Sequence, residues 1–187
     1  QPVDAGRFYI HPTWNESKNG KVNVKIDPAL AFGSGHHETT NSCLLMIDKY
    51  VNDNQTLLDV GCGSGILSIA ASKLGAKVDI CDTDPLSIEN SETNFSLNDS
   101  KYENAWVGSA VAANKTYDVV IANIVADVLV LIAADLKKCL NPNGMLILSG
   151  ILTIHKDKIL NKFKQYEVLE IVTKGDWETM VLKRIEK

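Results

Sequence analysis

The segment LDVGCGSG, residues 58–65, sets Asp59 at the end of an apolar run and then places Gly61, Gly63 and Gly65 ahead of a helical stretch. Glycine lets a main chain approach a ligand closely, and a helix N-terminus offers unpaired N–H groups. The dinucleotide fingerprint G-x-G-x-x-G would need glycine at position 66, which is Ile66. The G-x-G-x-G spacing suits a nucleoside cofactor that carries no pyrophosphate; the plain alternative is a tight strand–helix turn. A second apolar run ends in CDTDP, with Asp82 lying 21 residues after Gly61. A carboxylate there can accept hydrogen bonds from both hydroxyls of a ribose. Asp84, directly before Pro85, suits the N-cap of the following helix instead. The run YDVVIAN carries a third buried strand into Asn123, at the carboxyl edge where open α/β sheets bind ligands. Its side-chain amide can position a nucleophile or serve a turn.

A fourth stretch, FGSGHHETT (residues 32–40), invites two other readings. His36, His37 and Glu38 suggest a metal, and Gly33 with Gly35 a phosphate cradle. Adjacent histidines cannot easily face one ion, and no matching ligand cluster occurs elsewhere, so no metal is expected. The cysteines Cys43, Cys62, Cys81 and Cys139 form no C-x-x-C pair and read as buried thiols of a reducing cytoplasm.

These residues need strand ends and helix starts to hold them. TLLDV (56–60), KVDICD (77–82), NAWVG (104–108), YDVVIAN (117–123) and MLILSG (145–150) read as strands. Helices are expected over ILSIAASKLG, from Pro85 through PLSIENSETNFSLN, through ADVLVLIAADLKKCL until NPNG stops it, and around KDKILNKFK. Strands alternating with helices require crossovers and a mostly parallel sheet. YEVLEIVT (166–173) and WETMVLKRI (177–185), separated by KGD, read as a hairpin. The fold class is therefore α/β, Rossmann-like, with seven strands ending in an antiparallel pair and helices on both faces. Ahead of it, GRFYIHP and KVNVKID look like short strands around NESKNG, and a helix runs from about Glu38 to Tyr50.

The 187 residues suffice for one domain with a sizeable core. A net charge of -4, from 19 basic and 23 acidic residues, argues against a nucleic-acid surface over the whole domain. The longest apolar run, VLVLIAA, is far short of the ~20 residues that span a bilayer, and nothing in the residues given reads as a signal peptide.

Taken in order, PALAFGSGHHETT (28–40), LDVGCGSGILSIAA (58–71), CDTDP (81–85), IANIVAD (121–127), SGIL (149–152) and Trp177 resemble the PrmA family, the class I methyltransferases of ribosomal protein L-eleven. GCGSG is shared by many methyltransferases; the AFG-x-G-x-H-x-TT loop combined with ANI is far more specific. Ser34 and Glu38 stand where threonine and proline are common in the family, and His36 where threonine is frequent. The resemblance implies S-adenosylmethionine as methyl donor and amino groups as acceptors. Family cofactor contacts carry over to Thr40, Gly61, Asp82 and Asn123. Phe32, Gly63, Thr83 and Ser109 complete the candidate cofactor set. The amide oxygen of Asn123 and the backbone carbonyl of Ile124 are the candidate catalytic groups, accepting the N–H groups of the acceptor amine. On this reading FGSGHHETT covers the bound cofactor, with Phe32 shielding it.

The sequence Asn123-Ile124-Val125-Ala126 lacks the aromatic residue that stacks on a planar base or amide in N-P-P-Y enzymes. It favours a lysine side chain or an α-amino group. Rival readings are a methyltransferase of the same fold acting on RNA or a small molecule, and a non-catalytic module that only holds the cofactor. Ile66 disfavours a nicotinamide oxidoreductase. Residues 1–55 are expected as an extension that covers the cofactor, and 56–187 as the methyltransferase core. The family's N-terminal substrate-recognition domain has no counterpart before residue 6, so the chain is either a catalytic domain or a shortened relative. The expected partner is a ribosomal protein in the cytoplasm, with no membrane or direct nucleic-acid contact.

Overall fold

The computed structural model describes residues 1–30 and 37–185. The chain opens with β1 (Val3–Ala5), β2 (Phe8–Pro12) and β3 (Val22–Ile26), and then helix α1 (His37–Tyr50). The main sheet follows as β4 (Thr56–Val60), α2 (Ile66–Lys73), β5 (Lys77–Asp82), α3 (Pro85–Leu97), β6 (Asn104–Val107) and β7 (Tyr117–Asn123). It is completed by α4 (Ala126–Leu131), α5 (Ala133–Lys138), β8 (Leu140–Leu152), α6 (Lys156–Lys162), β9 (Glu167–Lys174) and β10 (Trp177–Lys183).

The seven strands lie in the order β6-β5-β4-β7-β8-β10-β9. The strands from β6 to β8 are parallel, and β10 runs antiparallel to both β8 and β9, as the alternation and the closing hairpin predict. From β4 the chain builds outward through β5 and β6, then returns to place β7 on β4's other side. The carboxyl ends of β4 and β7 thus flank the point where strand order reverses, the natural crevice of such a sheet.

The central strands are apolar on both faces because helices cover both. Alternate residues feed two separate buried clusters. Leu57, Val119, Ile121, Ile147 and Val181 join the side packed by α1, α2 and the N-terminal strands. Leu58, Val120, Ala122, Leu146, Leu148 and Met180 join the side packed by α4, α5 and α6. Phe8, Val24 and Ile26 of the small sheet belong to the first cluster, so the N-terminal strands share a core with the main sheet.

Four details add to or depart from the sequence reading. The strand β1 is additional, and it pairs antiparallel with β2. β2 and β3, the short strands expected around NESKNG, pair in parallel, a pairing that the sequence reading left open, with Phe8 opposite Val22 and Pro12 opposite Ile26. The outer edge of β3 is satisfied by α3: Asn98 accepts from Lys25 N at 2.8 Å and donates to Lys25 O at 2.8 Å. The helix expected through ADVLVLIAADLKKCL breaks at Ile132 into α4 and α5, while Ile132 N still bonds Val128 O at 2.9 Å. Finally, β8 starts at Leu140 rather than near Met145. Leu140 already pairs with Tyr117, and the ladder resumes at Met145 opposite Val119, so NPNG bulges out of a continuing strand, with Asn143 at φ 63°.

Candidate active site

A cavity of about 470 Å³ opens at the carboxyl ends of β4, β5 and β7. Gly61, Asp82, Thr83, Ser109, Asn123 and Ile124 all line it, together with Val60, Ala110, Val125, Val128, Ile132, Asp135 and Gly150. Residues scattered from Val60 to Gly150 thus meet because neighbouring parallel strands end side by side.

The glycine loop is built for close approach. Gly61 sits at φ 73°, a conformation glycine adopts freely, and a side chain there would meet Ile124 Cγ2 at 2.9 Å. Helix α3 pins the loop from behind: Ser91 Oγ donates to Gly63 O at 2.8 Å, and Asn94 Nδ2 donates to Ser64 O at 2.8 Å. Asn94 Oδ1 also accepts from Asp27 N at 3.1 Å, tying the end of the N-terminal segment to the loop. Gly63 itself does not line the cavity. Its N–H is directed to Asp82 Oδ2 at 3.1 Å.

Asp82 is held from both sides, because its Oδ1 accepts from Asp84 N at 2.9 Å. Each carboxylate oxygen keeps a further lone pair for a ligand. Asp84 caps α3 as expected, accepting from Leu86 N with Pro85 in the first turn. Ser109 precedes a short 3-10 turn, and its carbonyl accepts from Trp106 Nε1 at 2.9 Å.

Asn123 and Ile124 leave β7 at the floor of the cavity, facing Gly150 of β8. Gly150 adopts φ 78°. A Cβ on it would lie 2.8 Å from Ile124 O and 3.1 Å from Asn123 Oδ1. Only glycine allows β8 to pass this close to Ile124 O and Asn123 Oδ1, two acceptor oxygens at the end of β7.

Asp59 lies behind the loop, 2% exposed, and its Oδ2 has no hydrogen-bond partner among the described residues. Burial pushes its carboxyl up to about 7, opposed by Ser68 and assisted by the nearby Asp82 charge. The neighbouring thiols are also raised by burial, Cys43 and Cys81 to about 12, so neither is a thiolate nucleophile at neutral pH. All four cysteines are free and buried. Among the described residues no group of three or more His, Cys, Asp or Glu side chains could hold a metal ion. No described helix is long and apolar enough to cross a membrane.

Besides Gly63, two sequence candidates stand apart. Thr40 lies in the first turn of α1, half-buried, and is not among the lining residues of the cavity. Phe32 and the rest of the expected cover, through His36, lie outside the described residues. Sequence reasoning passed over Gly150, Ser91, Asn94 and the burial of Asp59. Gly150 carried a signal, since an isolated glycine at a strand end often marks close backbone approach. Ser91 and Asn94 look like ordinary polar residues of a surface helix.

The model of the family described as "Ribosomal protein L11 methyltransferase (PrmA)" matches residues 1–185. A curated relative from Nitratiruptor, a ribosomal protein L11 methyltransferase, is 60% identical over 182 residues, covering 97% of this chain and 65% of its own length. One from Campylobacter fetus, of the same name, is 52% identical over 189 residues and is covered over 69% of its length. The chain therefore spans about two thirds of the curated relatives it matches. Among solved structures, the ribosomal protein L11 methylase of Lactobacillus delbrueckii subsp. bulgaricus superposes with a TM-score of 0.92 at 30% identity, covering 99% of both chains.

Proposed function

The chain belongs to the ribosomal protein L11 methyltransferase family, and we propose from this and from its cavity that it transfers methyl groups from S-adenosylmethionine to amino groups of a ribosomal protein. The acceptors are lysine side chains, the N-terminal α-amine, or both. The observation that carries the reading is that Asn123 and Ile124, with Gly150 close against Ile124 O and Asn123 Oδ1, line one continuous cavity with Gly61 and Asp82.

The residues fit such a donor. Asp82, immobilised by two backbone amides, offers acceptors to a ribose. Gly61 permits contact with the main chain, and Thr83 and Ser109 border the same end of the cavity. Thr40 and Phe32 complete the proposed set from the covering segment, and Gly63 contributes by fixing Asp82. The donor, when bound, supplies an activated methyl group on a sulfonium.

The work left to the protein is alignment. Asn123 Oδ1 and Ile124 O accept the two N–H groups of a neutral amine, which aims its lone pair into the cavity. Orientation of this kind is worth roughly 7–11 kcal/mol of a bimolecular barrier. Val125, Val128 and Ile132 give the cavity an apolar side, which favours the neutral amine over the ammonium. Residues 1–55 act as the covering extension and 56–187 as the transferase core. A ribosomal acceptor places the reaction in the cytoplasm, without membrane or direct nucleic-acid contact. The test is transfer of labelled methyl to purified ribosomal protein, RNA and metabolite pools in parallel. Label in protein amines supports the reading, and label confined to RNA or metabolites overturns it.

A further inference from the structure

β8 passes the cavity with one residue more than its neighbour. Its pairing with β10 sets Ile151 opposite Glu178 and Leu148 opposite Met180. Between those two points β10 has only Thr179, whereas β8 has Ser149 and Gly150. This is a bulge, which bends a strand locally and re-aims what it carries. It falls where β8 meets the end of β7. Ser149 pairs with Asn123, and its carbonyl accepts from Ile124 N at 3.2 Å. The next residue is Gly150, the close neighbour of Ile124 O and Asn123 Oδ1.

The side chains change character at the bulge. Away from it β8 and β10 oppose apolar residues, Leu148 to Met180, Ile147 to Val181 and Leu146 to Leu182. At the bulge two buried hydroxyls meet instead, with Ser149 Oγ and Thr179 Oγ1 2.6 Å apart. An apolar pair would need no partner here, whereas a buried hydroxyl that loses its partner is costly. The pair therefore favours one arrangement of the bulge, because a shift of either strand separates the two oxygens. Cys43 of α1, also buried, neighbours Ser149, whose hydroxyl opposes the rise that burial gives its thiol. Ser149 is thus tied to β10 by its side chain and to Ile124 by its main chain.

We propose that Thr179 is a positioning residue for methyl transfer: acting through Ser149, it holds the β8 bulge in the arrangement that sets Asn123 Oδ1 and Ile124 O for the acceptor. The proposal rests on the transfer described above and adds a group that touches neither donor nor acceptor. Thr179 is not among the residues lining the cavity, so its influence travels through β8. Alignment of the acceptor depends on it, while donor affinity, set by Gly61 and Asp82 at the ends of β4 and β5, does not.

The test compares Thr179→Val, which keeps the shape and loses the hydroxyl, with Thr179→Ser, which keeps the hydroxyl. In single-turnover transfer of labelled methyl at saturating S-adenosylmethionine, Thr179→Val should be about tenfold slower and Thr179→Ser within about twofold of wild type. Both should bind S-adenosylhomocysteine within about twofold of wild type by calorimetry. Ser149→Ala should slow transfer as Thr179→Val does, and the double variant should be no slower than either, because each loses the same contact. Hydrogen exchange reads the linkage without turnover: the Ile124 amide should exchange faster in Thr179→Val, while amides in the middle of β7 keep their wild-type rates. A Thr179→Val chain at the wild-type rate, one that Thr179→Ser fails to outpace, or an unmoved Ile124 amide overturns the proposal. If Thr179→Val does not fold, Ser149→Ala against wild type decides in its place. The rates are compared on whichever acceptor takes label, so wild-type label confined to RNA would remove the proposed function while this comparison stands or falls on its own.

Discussion

Replacing Gly150 by alanine isolates the geometry on which the chemistry depends. The added Cβ would sit 2.8 Å from Ile124 O, 3.0 Å from Ile124 C and 3.1 Å from Asn123 Oδ1. The first two are main-chain atoms of the neighbouring strand, which cannot swing aside as a side chain can. Restoring ordinary contact requires β7 and β8 to part by about half an ångström at their carboxyl ends. The φ of 78° adds a left-handed penalty of about 1–2 kcal/mol for any residue with a Cβ. At this chain length that corresponds to a melting temperature roughly 2–8 °C lower, so the variant folds. Turnover should suffer far more. Displacing both acceptor oxygens by such a distance should cost about 100-fold in kcat. Cofactor affinity, set by Gly61 and Asp82, should stay within a few-fold. Calorimetric titration with S-adenosylhomocysteine and single-turnover methyl transfer separate the two effects. A Gly150→Ala chain that turns over at the wild-type rate would refute the placement of the amine.

Four further outcomes are expected. Asn123→Ala should fold with an unchanged melting temperature and lose most activity; a near-normal rate in a single-turnover assay removes Asn123 from the mechanism. Asp82→Ala should weaken cofactor binding by on the order of 2 kcal/mol, about 30-fold in Kd, and calorimetry showing unchanged affinity means the ribose lies elsewhere. Asn94→Leu strands Asp27 N and Ser64 O, and should lower the melting temperature by about 4–8 °C while loosening cofactor binding; a melting curve that does not move contradicts the bridging role. Asp59 governs a pH effect in the free protein. Its carboxyl is raised from 3.8 to about 7, so the folded state holds a proton that the unfolded state has released across that window, and stability falls as pH rises through it. Asp59→Asn should therefore gain over wild type from about pH 4 to pH 7 and then level, with a gap approaching ~4 kcal/mol in urea denaturation. A gap that is flat with pH excludes the buried carboxyl as its source.

The parts of the molecule that were legible in sequence are those whose signals are local. TLLDV, KVDICD and YDVVIAN are short apolar runs that end in Gly61, Asp82 and Asn123, and a strand that is buried on both faces cannot look otherwise. Their convergence then follows from parallel topology alone. What escaped depends on contacts distant in sequence. The parallel pairing of β2 with β3 is supported by Asn98, which caps the C-terminus of α3 and which no reading of residues 8–26 could include. The break at Ile132 interrupts an unbroken apolar period, and NPNG reads as a stop although β8 passes through it. Gly150 and Asn94 belong to the site through partners on other elements, Ile124 for one and Ser64 for the other. Asp59 was visible as a strand-end acid, but only packing shows that its oxygen is left without a partner.

The most direct test of the central claim is intact-mass and fragment-ion analysis of a purified ribosomal protein after incubation with the wild-type chain and S-adenosylmethionine, beside the Asn123→Ala chain. The expected result is whole methyl increments on lysine or N-terminal amines, produced by the wild type and nearly absent with Asn123→Ala. Unmodified protein with label in RNA, or equal increments from both chains, would contradict it.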